Sequence, residues 1–297
     1  TDYVINCIEV SGTACVKIDN DIPMSYGVDQ CIGDTIGPGG LFKALRTVPV
    51  WLEILKDIEN ICPQAIILNY TNPMSIMCLA SGRTSPLQIV GLCHSVQGSS
   101  EKKKKRLGLN IKDVEWDCAG VNHLAWFTKF KHNGKNLYPQ LMKNAEKDLA
   151  GKFVNDWDKE DLVRKDMMLH FGAYITESSG HLSEYLPYYR KRKDLMKKYI
   201  RANYNGESGF YARNWPKWRT DRDALLQEYV KGTKTINPVR TWEYASWIIE
   251  AREKDAPFRI HGNVMNKSKN GGPLISNLAH DGVVEVEMLA MPSRGVS

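Results

Sequence analysis

Gln88-Ile89-Val90-Gly91-Leu92-Cys93-His94-Ser95 is the stretch on which the reading of the fold turns. Gln88 to Leu92 is a short apolar run of strand length, and it ends in residues able to carry chemistry rather than in a plain turn. Upstream, Ala65 to Leu68 reads as another strand, ending at Asn69-Tyr70-Thr71-Asn72-Pro73. Before it, the β-branched run YVINCIEV at 3–10 stops at Ser11-Gly12. Downstream, Val114 to Ala119 reads as a fourth strand, followed by Gly120-Val121-Asn122-His123. Helical spacing fills the intervals. LFKALRTVPVWLEILKDIENICP follows Gly37-Pro38-Gly39-Gly40 and runs to Pro63, while Met74 to Ala80 and Ser99 to Leu107 give two more helices. Strands alternating with helices predict an α/β chain with a Rossmann-like parallel sheet and right-handed crossovers. Ligands bind such sheets beyond the carboxyl ends of the strands, where Asn72, Cys93 and His123 fall.

The pattern changes after about Trp126. Thr128 to Lys131 and Asn136 to Tyr138 flank His132-Asn133-Gly134-Lys135, whose Asn-Gly pair is a strong hairpin signal. Long, charged, aromatic-rich helical stretches then run to about Glu253, and Val283-Val284-Glu285-Val286-Glu287 returns to a strand. The expected division is a dinucleotide-binding part over 1–126 and a second, α+β substrate and catalytic domain over 127–297.

A chain of 297 residues can bury a large core. Its net charge of +6 is spread along the sequence apart from Lys102 to Arg106. No aromatic residues interleave that run and no nucleic-acid motif accompanies it, so it reads as a solvated helix face and nucleic acid is excluded as a partner. Seven cysteines without CxxC spacing favour a reducing compartment. No stretch has the length and apolarity of a membrane span, so a cytoplasmic enzyme with no membrane partner is expected. The chain lacks an initiating Met and opens directly in an apolar run, which suggests a fragment.

A thiolate from Cys93 and an imidazole from His123, both delivered by strand ends, can converge on one divalent metal. Alone, Cys93 is more often a buried apolar residue and His123 a hydrogen-bonded core histidine; together they favour the metal. Asn69-Tyr70-Thr71-Asn72-Pro73 is either a strand-ending turn or a source of amides for sugar hydroxyls or a nicotinamide ribose. Gly37-Pro38-Gly39-Gly40 can expose N–H groups to an anion, but it has neither the P-loop lysine nor GxGxxG spacing. Thr176-Glu177-Ser178-Ser179-Gly180-His181-Leu182-Ser183-Glu184-Tyr185 concentrates proton-transfer side chains, against a bland reading as an ordinary capped helix entry. Arg240 reads most simply as salt-bridged, with contact to a substrate hydroxyl as its functional alternative.

In this order, with Asp34-Thr35-Ile36-Gly37-Pro38-Gly39-Gly40, Ala44-Leu45-Arg46-Thr47, Cys118-Ala119 and Gly262-Asn263-Val264 added, these segments resemble family 4 of the glycoside hydrolases, especially its melibiase-type α-galactosidases. The resemblance spans nearly the whole chain. It implies NAD and a divalent metal, usually Mn2+, in a redox-neutral hydrolysis of α-galactosides: oxidation at C3, loss of the C2 proton and of the C1 oxygen, addition of water, and return of hydride. It places Cys93 and His123 on the metal. Asn72, Asp34 and Arg240 would contact substrate, and Asn69 the cofactor. His181 would stand as base with Tyr185 in reserve, and His94 where phospho-sugar relatives carry an acidic aspartate, which argues against a 6-phosphate substrate. A homo-oligomer acting on a small-molecule α-galactoside is expected, although relatives begin with a glycine-rich pyrophosphate loop that this sequence lacks. The alternatives are another family 4 specificity, α-glucosidase or α-galacturonidase, a simple dehydrogenase, or a non-catalytic sugar- or nucleotide-binding fragment.

Overall fold

A computed structural model of the chain describes residues 1–109, 113–241, 243–291 and 295–296. The first half contains β1 (Tyr3–Asn6), α1 (Gly12–Ser25), α2 (Gly37–Ile61), β2 (Ile66–Asn69), α3 (Met74–Thr84), β3 (Gln88–Leu92), α4 (Ser95–Arg106), β4 (Val114–Val121), β5 (Leu124–His132) and β6 (Lys135–Asn136). Then come α5 (Tyr138–Leu149), α6 (Asp156–Glu160), α7 (Leu162–Phe171), β7 (Tyr174–Ile175), α8 (Ser179–Tyr185), α9 (Lys193–Tyr199), α10 (Phe210–Val230), α11 (Ala245–Glu253), β8 (Phe258–Met265), β9 (Val283–Met291) and β10 (Gly295–Val296). The side chains of the Lys102–Arg106 run, and Trp242, lie outside the described residues.

One sheet carries the strands in the order β1-β2-β3-β8-β9-β4-β5-β6, with β10 on β9 and β7 on β5. The first three strands pair parallel and in register, Ile67 opposite Val4 and Ile89. All four residues of β2 are buried, as a strand covered on both faces requires. Trp51 and Leu55 of α2 pack with Ile67 and Met77 on one side, and the Trp51 indole donates to Ser81 Oγ at 2.7 Å. Ile248 of α11 packs with Leu68, Val90 and Ile260 in a second core cluster.

The expected fourth parallel strand forms, but it does not run parallel. β4 pairs antiparallel with β5 and touches β9 antiparallel. A parallel partner needs a crossover of about a dozen residues or more, whereas Asn122-His123 turns the chain straight back into β5. His123 therefore occupies a hairpin tip, with φ of 61°, rather than the end of a parallel strand. The sheet is Rossmann-like along β1–β3 and antiparallel beyond, and position 126 falls inside β5. The Asn133-Gly134 hairpin forms with positive φ at both residues. Helix α1 was not legible as a helix, its apolar residues being few and its last turn holding Pro23.

The Gly37-Pro38-Gly39-Gly40 segment is the first turn of α2. Its Gly39 N–H donates to Gln30 Oε1 at 3.2 Å, and a Cβ on Gly39 would lie 2.2 Å from the Gly33 carbonyl. These glycines let α2 press against the Cys31–Thr35 loop, and the anion-binding reading does not hold for them.

Candidate active site

A cleft of about 440 Å³ opens where the parallel strands end. Asn72, Cys93 and His94 reach it from the ends of β2 and β3, His123 from the β4–β5 tip, Asp34 from the loop before α2, and Glu177 and His181 from the start of α8. Tyr204, Tyr211 and Trp215 form an aromatic wall. A Cβ on Gly180 would meet the Tyr204 carbonyl at 2.2 Å, so glycine there admits the Tyr204 segment against α8.

The sulfur of Cys93, a ring nitrogen of His123 and a carboxylate oxygen of Glu177 all lie within 4.8 Å of one another. Metal–ligand bonds of about 2.0–2.3 Å put donors about 3–4 Å apart, so small side-chain adjustments close this set around one divalent ion. Burial overrides the nearby carboxylates and lowers His123 to about 4, leaving its ring neutral as a ligand must be. Burial, reinforced by Glu285 and Glu177, pushes the Cys93 thiol well up, so a metal must displace a proton to bind there. His123 Nδ1 lies 3.0 Å from Tyr185 Oη and its Nε2 3.5 Å from Glu177 Oε2. A metal on Nε2 would fix Nδ1–H as donor to the Tyr185 oxygen.

His181 packs against His123 with ring centroids 4.5 Å apart and the rings tilted by 41°, yet its pKa moves in the other direction. Burial disfavours the charged ring, but Glu177 at 3.3 Å and Asp34 at 3.9 Å outweigh it and raise His181 to about 10. The 3.9 Å contact is an ion pair too long for a hydrogen bond, so among the described residues the buried Nε2–H has no acceptor. Burial opposes ionisation of Glu177 and Asp34 as well, and the same His181 contact holds both well below the usual carboxylate range. His94 is exposed at the rim, 3.3 Å from Glu243, which raises its pKa against the opposing burial.

Of the residues selected from sequence, Asp34, Asn72, Cys93, His94, His123 and His181 line the cleft, and Tyr185 stands behind His123. Two do not serve as expected. Asn69 is 1% exposed, and its amide is consumed by Asn6 at 2.7 Å and by the Thr71 backbone N–H and carbonyl, which leaves nothing for a cofactor. Arg240 pairs with Glu250 and lies 4.2 Å over the Trp247 ring, away from the cleft, so its salt-bridged reading holds. Reasoning from sequence missed Glu177 as a ligand, although it lies within the motif that drew attention. Glu243, Tyr204, Tyr211 and Trp215 carried no local signal.

Comparison with known proteins adds a family to this geometry. Residues 1–109 match the model of the family 4 glycosyl hydrolases and residues 118–294 that of their C-terminal domain. The chain is 40% identical to an α-galactosidase of Bacillus subtilis over 97% of its length and 38% identical to one of Rhizobium meliloti over 95%. It spans 63% and 57% of the lengths of those two proteins. Among solved structures, lplD of Bacillus subtilis superposes with a TM-score of 0.84 at 24% identity, covering all of this chain and 69% of that one. A 6-phospho-α-glucosidase from gut microorganisms, in complex with NAD and Mn2+, gives 0.75 at 22%, covering all of this chain and 66% of its own.

Proposed function

The chain belongs to family 4 of the glycosyl hydrolases, and on that premise we propose that the protein hydrolyses neutral α-galactosides with the aid of NAD and a divalent metal. The observation that carries this reading is the convergence of Cys93, His123 and Glu177 in a cleft whose described lining contains Asp34 and Glu243 but no lysine or arginine. A uronate or a phosphate would find no lysine or arginine to receive it there, and the lining histidines that face carboxylates are already engaged, His181 by Glu177 and Asp34 and His94 by Glu243. The nearby Lys43 is already paired with Glu9 at 2.7 Å. The identity to α-galactosidases supports the same substrate class.

Cys93, His123 and Glu177 fit a divalent ion by donor type and spacing. For NAD, the ends of β1–β3 offer the expected crevice, lined by Cys7, Tyr70 and Asn72, but the 297 residues contain no glycine-rich pyrophosphate loop. When bound, the ion would supply Lewis-acid polarisation of a sugar oxygen and NAD a hydride acceptor and donor. His181, cationic between two carboxylates, has no lone pair with which to act as a base; it donates from Nε2 and, with Asp34, orients sugar hydroxyls. The phenols flanking the two imidazoles, Tyr185 at 3.0 Å from His123 Nδ1 and Tyr204 at 3.1 Å from His181 Nδ1, are pushed up by burial and so keep their protons, and their part is to orient the two rings. His94, whose pKa Glu243 raises, is the group at the mouth placed to give a proton to the departing oxygen.

The test is release of galactose from an aryl α-galactoside by the native protein, with and without NAD, Mn2+ and a reductant, beside the matching α-galacturonide and galactoside 6-phosphate. Turnover of the neutral galactoside that needs NAD and metal is expected. Turnover indifferent to NAD removal, or a preference for the uronide, would overturn the proposal.

A further inference from the structure

Glu184 belongs to none of the functions above, yet it sits half-buried among main-chain donors. Its Oε1 accepts from the backbone N–H of Cys31 and, at 2.7 Å, from that of Ile32; its Oε2 accepts from Gly33 N–H at 3.3 Å. Three successive amides of the loop that leads into Asp34 thus close on one side chain of α8. Arg190 braces both partners from outside: it bonds Ser183 Oγ at 2.9 Å and the Gly206 carbonyl at 2.5 Å, and it pairs with Asp29 at 3.1 Å. Gly33 takes φ of 67°, which turns the chain so that its N–H joins the other two. Helix α8 also carries His181, one turn earlier. One short helix therefore presents His181 to the cleft and, through Glu184, holds the loop that presents Asp34 to His181.

We propose that Glu184 is a positioning residue that sets Asp34 against His181 and so shapes the polar pocket that receives the sugar's hydroxyls. The substrate half of this inference rests on the galactosidase reading; the loop half does not. The geometry separates the clamp from the metal corner, because none of the groups that Glu184 touches is Cys93, His123 or Glu177.

The experiment is a double-mutant cycle on the native protein with Glu184→Gln and Asp34→Asn, read beside hydrogen exchange of residues 29–36 and a Mn2+ binding isotherm. Glu184→Gln should speed exchange of the Cys31, Ile32 and Gly33 amides and raise KM, lowering kcat/KM for the galactoside by about 10- to 100-fold, while Mn2+ affinity stays within about twofold. Once Asp34→Asn is present, Glu184→Gln should cost little more, since both changes act through one carboxylate. Glu184→Asp, included in case the glutamine variant folds poorly, should keep part of the protection and part of the activity. Additive losses, a fall in Mn2+ affinity that accounts for the lost activity, or unchanged exchange in the loop would each overturn the proposal. If the wild-type protein does not cleave the galactoside, the functional reading fails, and loop exchange alone decides whether Glu184 is the clamp.

Discussion

Two buried glutamates flank the metal corner, one from the start of α8 and one from the middle of the sheet, and they titrate in opposite directions. Glu177 lies 3.3 Å from His181 and 3.5 Å from His123, and chiefly the charge on His181 overrides its burial and holds it ionised. Glu285, on β9 with Asn263 opposite on β8 and Gly120 opposite on β4, is fully buried, and neither carboxylate oxygen has a hydrogen-bond partner in the described geometry. Burial, with a contribution from the negative Glu177, raises Glu285 to about 8, and the amide of Asn263 only partly offsets this. The residue type is the same and both are buried; the nearest cation decides the charge. The α8 side of the cleft is built to hold an anion next to a metal, and the sheet side to keep a carboxyl neutral.

The strongest way to break this contrast is to remove a ring that faces Glu177. His123→Ala deletes a ligand while Glu177 keeps His181 and the Ser178 N–H, so Mn2+ binding should disappear and activity fall by about 10³-fold or more, the scale of several kcal/mol of metal-based charge stabilisation. Calorimetric titration with Mn2+ checks the first; retained stoichiometric binding would show that the ion sits elsewhere. Glu177→Gln is milder. Cys93 and His123 remain, and affinity should drop about 10- to 100-fold. The same change also alters a pH dependence. His181 titrates at about 10 folded against 6.5 as its ordinary value, so its ion pairs add stability that is complete below 6.5 and is lost as pH rises toward 10. Urea melts between those values should therefore slope downward in the wild type and flatten in Glu177→Gln, where Asp34 alone sustains the charge.

The contrast also marks where the sequence was legible. Cys93 could be located because β3 is a short apolar run whose parallel neighbours share its register, so its end projects where ligands bind. His123 was selected for the same reason, but it reaches the site by another route, since nothing in Val114 to Val121 distinguishes a parallel strand from one arm of a hairpin. The cofactor contact expected of Asn69 and the substrate contact offered as the alternative for Arg240 do not form, because an amide or guanidinium in a motif does not disclose that Asn6 and Glu250 have already taken it. Glu285 was visible only as one residue of an alternating strand. Its isolation depends on β4, distant in sequence, meeting the β8–β9 pair around it.

The smallest expected effect on metal binding and activity comes from Glu285→Gln, whose consequence is for stability, and it sharpens the comparison most directly. The folded pKa of Glu285, about 8, stands above the ordinary 4.5, so the neutral carboxyl is accommodated below 4.5, and stability is lost as pH rises through 8 and the ion must be buried. Glutamine keeps the shape and cannot ionise. The variant should match the wild type near pH 4.5, separate from it progressively, and be the more stable protein above pH 8 by on the order of a few kcal/mol in chemical denaturation. Parallel stability curves for the two proteins across pH 4.5–8 would mean that Glu285 has a cationic or hydrogen-bonding partner in solution, and the opposition between the two glutamates would collapse.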